Sequence, residues 1–211
     1  MKIKYPRTYH LPWTESATAD DKILTPDQVV SYFSGRDVCV SLKMDGENTT
    51  IGKNYSHARS VDSGDHWSRH HIKQLAAKLA VDIPDGWRIC GENLMATHSI
   101  EYKNLSSYFY VFAILDGSTR LSLSEMIEYC DYTNLDMVPI LSQGKFESLD
   151  FKNRFGLDFS MDEGYVLSNS GRFHLEDMHK NVAKVVRPCH VQPNSAHWTK
   201  STEKNSLVST K

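Results

Sequence analysis

Residues 37–48, DVCVSLKMDGEN, change character in mid-run. Val38, Val40, Leu42 and Met44 alternate with Cys39, Ser41, Lys43 and Asp45, the period-two pattern of a strand with one face buried, and Gly46 then breaks the run. The alternation sets Lys43 on the face opposite the aliphatic row. It leaves the strand three residues before a glycine that permits a tight bend and a close approach of backbone to a ligand. An amine held there can act as a nucleophile, although a solvated lysine before a turn has the same local sequence.

Working outward, residues 48–52, 57–61, 87–93, 108–115, 137–141, 164–169, 173–175 and 182–187 read as further strands separated by turn residues. Thr25-Pro26 is a helix start, with Thr25 as N-cap and proline at the first helical position, and Gly35 ends that helix. Residues 68–80 form a second helix, with Ile72, Leu75, Ala76 and Leu79 at helical spacing. Residues 123–130 are a third and 147–155 a weak fourth. Many strands with few helices between them predict an α+β domain of antiparallel sheets with flanking helices. The first 25 residues, punctuated by Pro6 and Pro12, read as an extended arm, and 199–211 as a flexible tail poor in apolar residues.

Lys43 does not stand alone. Downstream, in order, come Ala58-Arg59-Ser60, Gly91-Glu92-Asn93, the aromatic run 108–116, Glu163-Gly164-Tyr165-Val166 and Ala183-Lys184-Val185-Val186-Arg187. In this order and spacing the segments resemble the covalent nucleotidyltransferase superfamily of ATP-dependent polynucleotide ligases and capping enzymes. The RNA ligase family is the branch they resemble most. YPRTYHLPW (5–13), KMDGENTT (43–50), HARSVDS (57–63), GWRICGENL (86–94), THSIEY (97–102) and AKVVRPCHVQ (183–192) look like a compact bacterial and phage form of it. The resemblance covers residues 5–198. It implies an adenylyltransferase domain of ATP-grasp-like ligase type over 1–198, with no oligonucleotide-binding barrel appended.

The chemistry the resemblance implies is RNA ligation, as in RNA repair. Lys43 attacks the α-phosphate of ATP and holds AMP, which passes to a 5'-phosphate end before a 3'-hydroxyl displaces it. Lys184 contacts the α-phosphate and shares the catalytic role. Nucleotide binding falls to Leu42, Lys43, Arg59, Glu92, Phe112 and Lys184. Glu163 holds magnesium, with manganese as the alternative ion, and Asp162 is the more exposed alternative ligand. Each residue also has a plainer explanation: Arg59 as a surface arginine, Glu92 as an ion-pair partner of Arg88, Phe112 as part of a core stripe with Tyr108, Tyr110 and Ile114. Arg59, Arg187 and His190 are nucleic-acid contacts, with Gln192, Asn194 and Trp198 beyond the last strand and 69–71 as a second track. Three departures stand out: Val182 and Val186 flank Lys184 where a second lysine is usual, Ser41-Leu42 precede Lys43 where a glutamate is frequent, and Ala113 follows Phe112 where an acid is usual.

With 24 basic and 26 acidic residues the chain lacks the broad positive field of a protein that coats nucleic acid. A local basic cleft remains compatible with that balance. Cys39, Cys90, Cys130 and Cys189 show neither disulfide nor zinc spacing. No stretch reaches the roughly 18 apolar residues of a membrane span, and the chain reads as a cytoplasmic protein. An end-healing kinase or phosphatase could supply the grip on RNA that a second domain gives larger ligases. The alternatives are a DNA nick ligase, another nucleotidyltransferase on the same site, or a non-catalytic module that binds nucleotide or RNA ends.

Overall fold

The computed structural model describes residues 2–147, 155, 157–188 and 203–209. The expected helix at 147–155, the contacts at His190, Gln192, Asn194 and Trp198, and Cys189 fall outside or largely outside these. The elements in order are β1 (Tyr9–His10), α1 (Pro26–Phe33), β2 (Asp37–Lys43), β3 (Glu47–Gly52), β4 (Tyr55–Ala58), α2 (His70–Leu79), β5 (Trp87–Asn93), β6 (Phe109–Asp116), β7 (Thr119–Arg120), α3 (Leu123–Thr133), β8 (Ile140–Lys145), β9 (Gly164–Asn169), β10 (Phe173–His174), α4 (Met178–Asn181) and β11 (Val182–Val186). The α+β class holds. The chain divides into two units, one of residues 1–5, 45–137 and 194–211 and one of 6–44 and 138–193. No helix among the described residues is long and apolar enough to cross a membrane.

The second unit is a sheet in the order β1-β11-β9-β2-β8. Its pairs are antiparallel except β1 with β11. Residues directly opposite share a face, so the unbroken registers Val40↔Leu167, Leu42↔Tyr165, Ala183↔Leu167 and Val185↔Tyr165 line one side with apolar groups. That side joins α1, through Val29 and Phe33, in the core of this unit. α1 begins as the sequence predicts: Gln28 N donates to Thr25 Oγ1 at 3.2 Å and Thr25 N donates to Gln28 Oε1 at 2.9 Å.

In the first unit the strands run β7-β6-β5-β3-β4, all antiparallel. One face, with Ile51, Ile89, Val111 and Ile114, packs on Ile72, Ala76 and Leu79 of α2 and on Met126 and Cys130 of α3.

Some expectations shift. The strand predicted at 137–141 runs at Ile140–Lys145, because Pro139 has no N–H for a ladder; its carbonyl instead accepts from Leu42 N at 2.8 Å. The strand predicted at 57–61 is Tyr55–Ala58, since Lys53-Asn54 close a two-residue hairpin that starts β4 earlier. The arm is structural: Tyr9 and His10 are a strand and Leu11 lies in the core. Residues 203–209, expected within a flexible tail, are seated. Asn205 is 1% exposed, donates to Leu94 O at 2.8 Å and accepts from Tyr102 N at 2.8 Å and Thr97 Oγ1 at 3.1 Å. One amide side chain thereby satisfies the backbone of a loop that has no ladder of its own.

Candidate functional site

In the second unit the polar face of the sheet carries both lysines expected to act on the nucleotide. The registers Lys43↔Gly164, Ser41↔Val166, Lys184↔Val166 and His10↔Lys184 place Lys43, Lys184 and His10 on the side away from the core. β2 and β11 flank β9, so the two lysines stand two strand spacings apart, roughly 10 Å. Lys43 Nζ donates to Glu163 Oε1 at 2.5 Å; the lysine side chain is 24% exposed and the glutamate 2%. Arg187 N closes the loop on the Glu163 carbonyl at 2.8 Å.

Gly164 explains why the carboxylate can be there. Its φ is +151°, and a Cβ would collide with the Val185 carbonyl oxygen. Only glycine lets β9 start flush against β11 with Glu163 turned toward Lys43. Asp162, the alternative ligand, is engaged elsewhere, its Oδ2 accepting from Asp158 N at 3.0 Å. Arg187 donates from its guanidinium to Phe159 O at 3.2 Å. Leu42, expected at the nucleotide, lies in the row of Tyr165 on the core face, so its side chain points away from Lys43.

The first unit holds the other predicted residues. Asn48 pairs with Glu92 and Glu92 with Tyr110, so these share a face opposite the core, and Arg59 lies exposed past the end of β4 with its N–H on Asn48 O at 2.8 Å. Arg88, the ion-pair partner of Glu92 on the plainer reading, donates instead to Gly117 O at 2.8 Å and Ile3 O at 3.4 Å. The register of β5 with β6 slips between Cys90 and Gly91, leaving Phe112 as the extra residue between Ala113↔Cys90 and Val111↔Gly91. This bulge splits the expected stripe: Ile114 enters the core, while Tyr110 joins the Glu92 face. Tyr5 meets the half-buried Phe112 edge-on, ring centroids 5.1 Å apart. Burial pushes the Tyr5 phenol well above its usual range, with Cys90 adding to the effect.

Three features escaped the sequence reading. Asp45 is a clamp: its Oδ2 accepts from Ser99 N at 2.7 Å, Ser99 Oγ at 2.6 Å and Ile100 N at 3.0 Å, and its own N–H donates to Tyr102 Oη at 2.8 Å. The pattern KMDG thus ties the segment THSIEY, and Gly46 is required by protein packing, since a Cβ would lie 2.6 Å from Asn93 O. Buried Glu47 takes the guanidinium of Arg69 through Nε, 2.8 Å from Oε2, and through Nη2. Arg69 is therefore an internal ion-pair partner. His71 is held neutral by burial, its pKa pushed down to about 4. His10, the third, is treated below. Alternation in Tyr9-His10-Leu11 was its only signal.

Magnesium keeps several waters and binds through one or two carboxylates together with substrate phosphates. Among the described residues no group of three His, Cys, Asp or Glu forms a cage. A single buried carboxylate beside the lysine fits a metal that arrives on a nucleotide.

Comparisons with known proteins bear on the family and the fold. The model of the RNA ligase family matches residues 36–186. No curated protein matches the chain significantly. Among solved structures, a chain from Aquifex aeolicus assigned to the ATP-dependent DNA ligases is 20% identical, with a TM-score of 0.59 over 87% of this chain and 49% of that one. An archaeal ATP-dependent RNA ligase is 18% identical, with a TM-score of 0.57 over 87% and 48%. The Naegleria gruberi RNA ligase E227A mutant with ATP and Mn is 13% identical, with a TM-score of 0.55 over 87% and 56%. The likeness is one of fold, and the chain spans about half the length of these structures.

Proposed function

From the RNA ligase family, to which the chain belongs over residues 36–186, we propose that it is an ATP-dependent RNA ligase that joins 5'-phosphate and 3'-hydroxyl ends through a lysyl-AMP intermediate on Lys43. The observation that carries this reading is the buried Glu163 carboxylate 2.5 Å from Lys43 Nζ, with Lys184 on the same face of the sheet.

As an ammonium paired with Glu163, Lys43 has no lone pair to offer. The amine must shed a proton and leave the carboxylate; its nitrogen then bonds the α-phosphorus while the bond to the pyrophosphate oxygen breaks and pyrophosphate departs with the electron pair. Lys184 holds an α-phosphate oxygen as negative charge builds there. Glu163 is the residue that would hold magnesium, whose positive charge screens the phosphate oxygens from the incoming amine. Glu92 receives a ribose hydroxyl, Phe112 stacks on the base, and Arg59 grips a phosphate of the nucleotide or of the 5' end. The substrate ends are products of a kinase or phosphatase that heals breaks, the partner activity the reading calls for.

The test is incubation with ATP labelled at the α-phosphate, followed by denaturing electrophoresis and intact mass. A covalent AMP adduct on the wild type that Lys43→Ala abolishes is expected. Label that persists in Lys43→Ala overturns the assignment. Parallel sealing assays on nicked RNA, nicked DNA and single-stranded RNA decide the polynucleotide, and preference for nicked DNA would replace RNA ligation with DNA nick sealing.

A further inference from the structure

His10 is 2% exposed, yet it lies on the reactive face of its sheet, opposite Lys184 in the parallel pair of β1 and β11. Its backbone is fixed from both sides. His10 N donates to Lys22 O at 2.8 Å, His10 O accepts from Leu24 N at 2.8 Å, and the next residue, Leu11, donates to Lys184 O at 2.8 Å. Neither ring nitrogen completes a hydrogen bond among the described residues, although Asp21 Oδ1 stands 3.5 Å from Nε2. A buried polar group left in that condition costs on the order of 1–3 kcal/mol. An apolar residue at this strand position would avoid the cost, so the imidazole is explained by a partner that the described residues do not provide.

The electrostatics name the partner's charge. The charged groups acting on His10 are Lys184 on β11, Lys43 on β2 and Asp21 on the segment before α1. Burial first, then Lys184, lower its pKa; Asp21 opposes them, and Lys43 adds to the lowering. Two lysines beside a neutral imidazole make a site for an anion with several oxygens, and a third cation becomes favourable there once the anion's charge is present.

We propose that His10 is a phosphate-binding residue of the nucleotide site, its Nδ1–H donated to a phosphate oxygen beside Lys184 while its Nε2–H points to Asp21. This rests on the reading of Lys43 as the AMP acceptor. With both nitrogens carrying hydrogen the ring is an imidazolium, so nucleotide binding takes up one proton at this residue. His10 thus supplies the second phosphate contact that Val182 and Val186 cannot, from a strand far away in sequence. Because the imidazole charges only when phosphate is present, the empty site is spared the repulsion of three clustered cations.

The experiment follows the histidine ring signals by NMR in the full chain, with His10 identified by comparison with His10→Asn, across pH 5 to 8.5. The probes are α,β-methylene ATP with magnesium, which cannot transfer AMP, and inorganic pyrophosphate. We expect the His10 midpoint to rise by about one unit or more with the nucleotide analogue. In adenylylation assays His10→Ala raises the ATP concentration for half-maximal rate about tenfold. His10→Asn, which keeps an N–H near Nδ1, stays within about threefold and flattens the dependence on pH between 6 and 8. A His10 midpoint unmoved by bound analogue overturns the proposal, as does folded His10→Ala with the wild-type ATP requirement. In either case an AMP adduct on wild-type Lys43 leaves the ligase reading standing. A wild type that binds no nucleotide and forms no adduct removes both.

Discussion

The two units present polar faces built in opposite ways. In the unit of Lys43 and Lys184, four strands in unbroken register carry these lysines and His10, and within those four strands the special backbone position is Gly164. In the other unit the face with Glu92 and Phe112 depends on irregularities: a bulge that leaves Phe112 unpaired, Asp45 clamping Ser99 and Ile100, and Asn205 threaded among residues 94–102. A regular ladder holds groups in place for bond making, while side chains that stitch loops shape a surface for recognition. The contrast predicts rate effects from the unit of Lys43 and Lys184 and binding or stability effects from the unit of Glu92 and Phe112.

The largest effect tests the ladder. Lys184→Ala is expected to slow formation of lysyl-AMP about 10²–10³-fold, as for loss of a donor that acts mainly in the transition state, with nucleotide affinity little changed. Rapid-quench kinetics against equilibrium binding separate the two, and a pure loss of affinity would break the comparison. Gly164→Ala comes next, with a loss of about 3 kcal/mol or more in denaturant unfolding, because β9 and β11 must part to admit a methyl group. Its failure to destabilise would show that the sheet is not as tight as its register implies.

In the other unit, Asp45→Ala leaves Ser99 N, Ser99 Oγ and Ile100 N without their acceptor. The expected cost is about 2–3 kcal/mol, with faster amide hydrogen exchange confined to residues 97–102. Exchange that accelerates equally in both units would erase the distinction.

Acid sharpens it further. His71 is neutral in the folded chain, its pKa lowered to about 4 by burial from the ordinary 6.5. The unfolded chain therefore takes up the proton first, and the stability His71 lends is complete above about pH 6.5 and lost as pH falls toward 4. Burial lowers the pKa of His57 in the same direction. Melting temperature should fall between pH 7 and 5, and His71→Leu should flatten the slope. Phe112→Leu is the smallest change, raising the ATP concentration for half-maximal adenylylation about three- to tenfold at constant maximal rate. A fall in maximal rate instead would place Phe112 among the positioning groups.

Alternation, caps and motif order made β2, β5, β9, α1 and the pair Lys43 and Lys184 legible in the chain, because a period of two and a proline after a capping threonine are local physical demands. The face of the Leu42 side chain is less legible, for the converse reason. Leu42 adjoins Lys43 in sequence but belongs to the other face, and a list of neighbours does not respect the pleat. The core stripe that is the plainer reading of Phe112 is dissolved by a single extra residue, and no local signal marks which residue of FYVFAILD will bulge.

The sequence by itself determined the class of fold, the strand that carries Lys43 and the face on which it stands, since each follows from residues within a few positions of one another. Only the tertiary structure decided that Glu163 meets Lys43 across 120 positions, that His10 lies beside Lys184, that Arg69 is bound to Glu47, and that residues 203–209 fill a loop of the first unit. Those pairings join segments far apart in the chain, and their energies come from burial and exclusion of water, which exist only once the segments have come together.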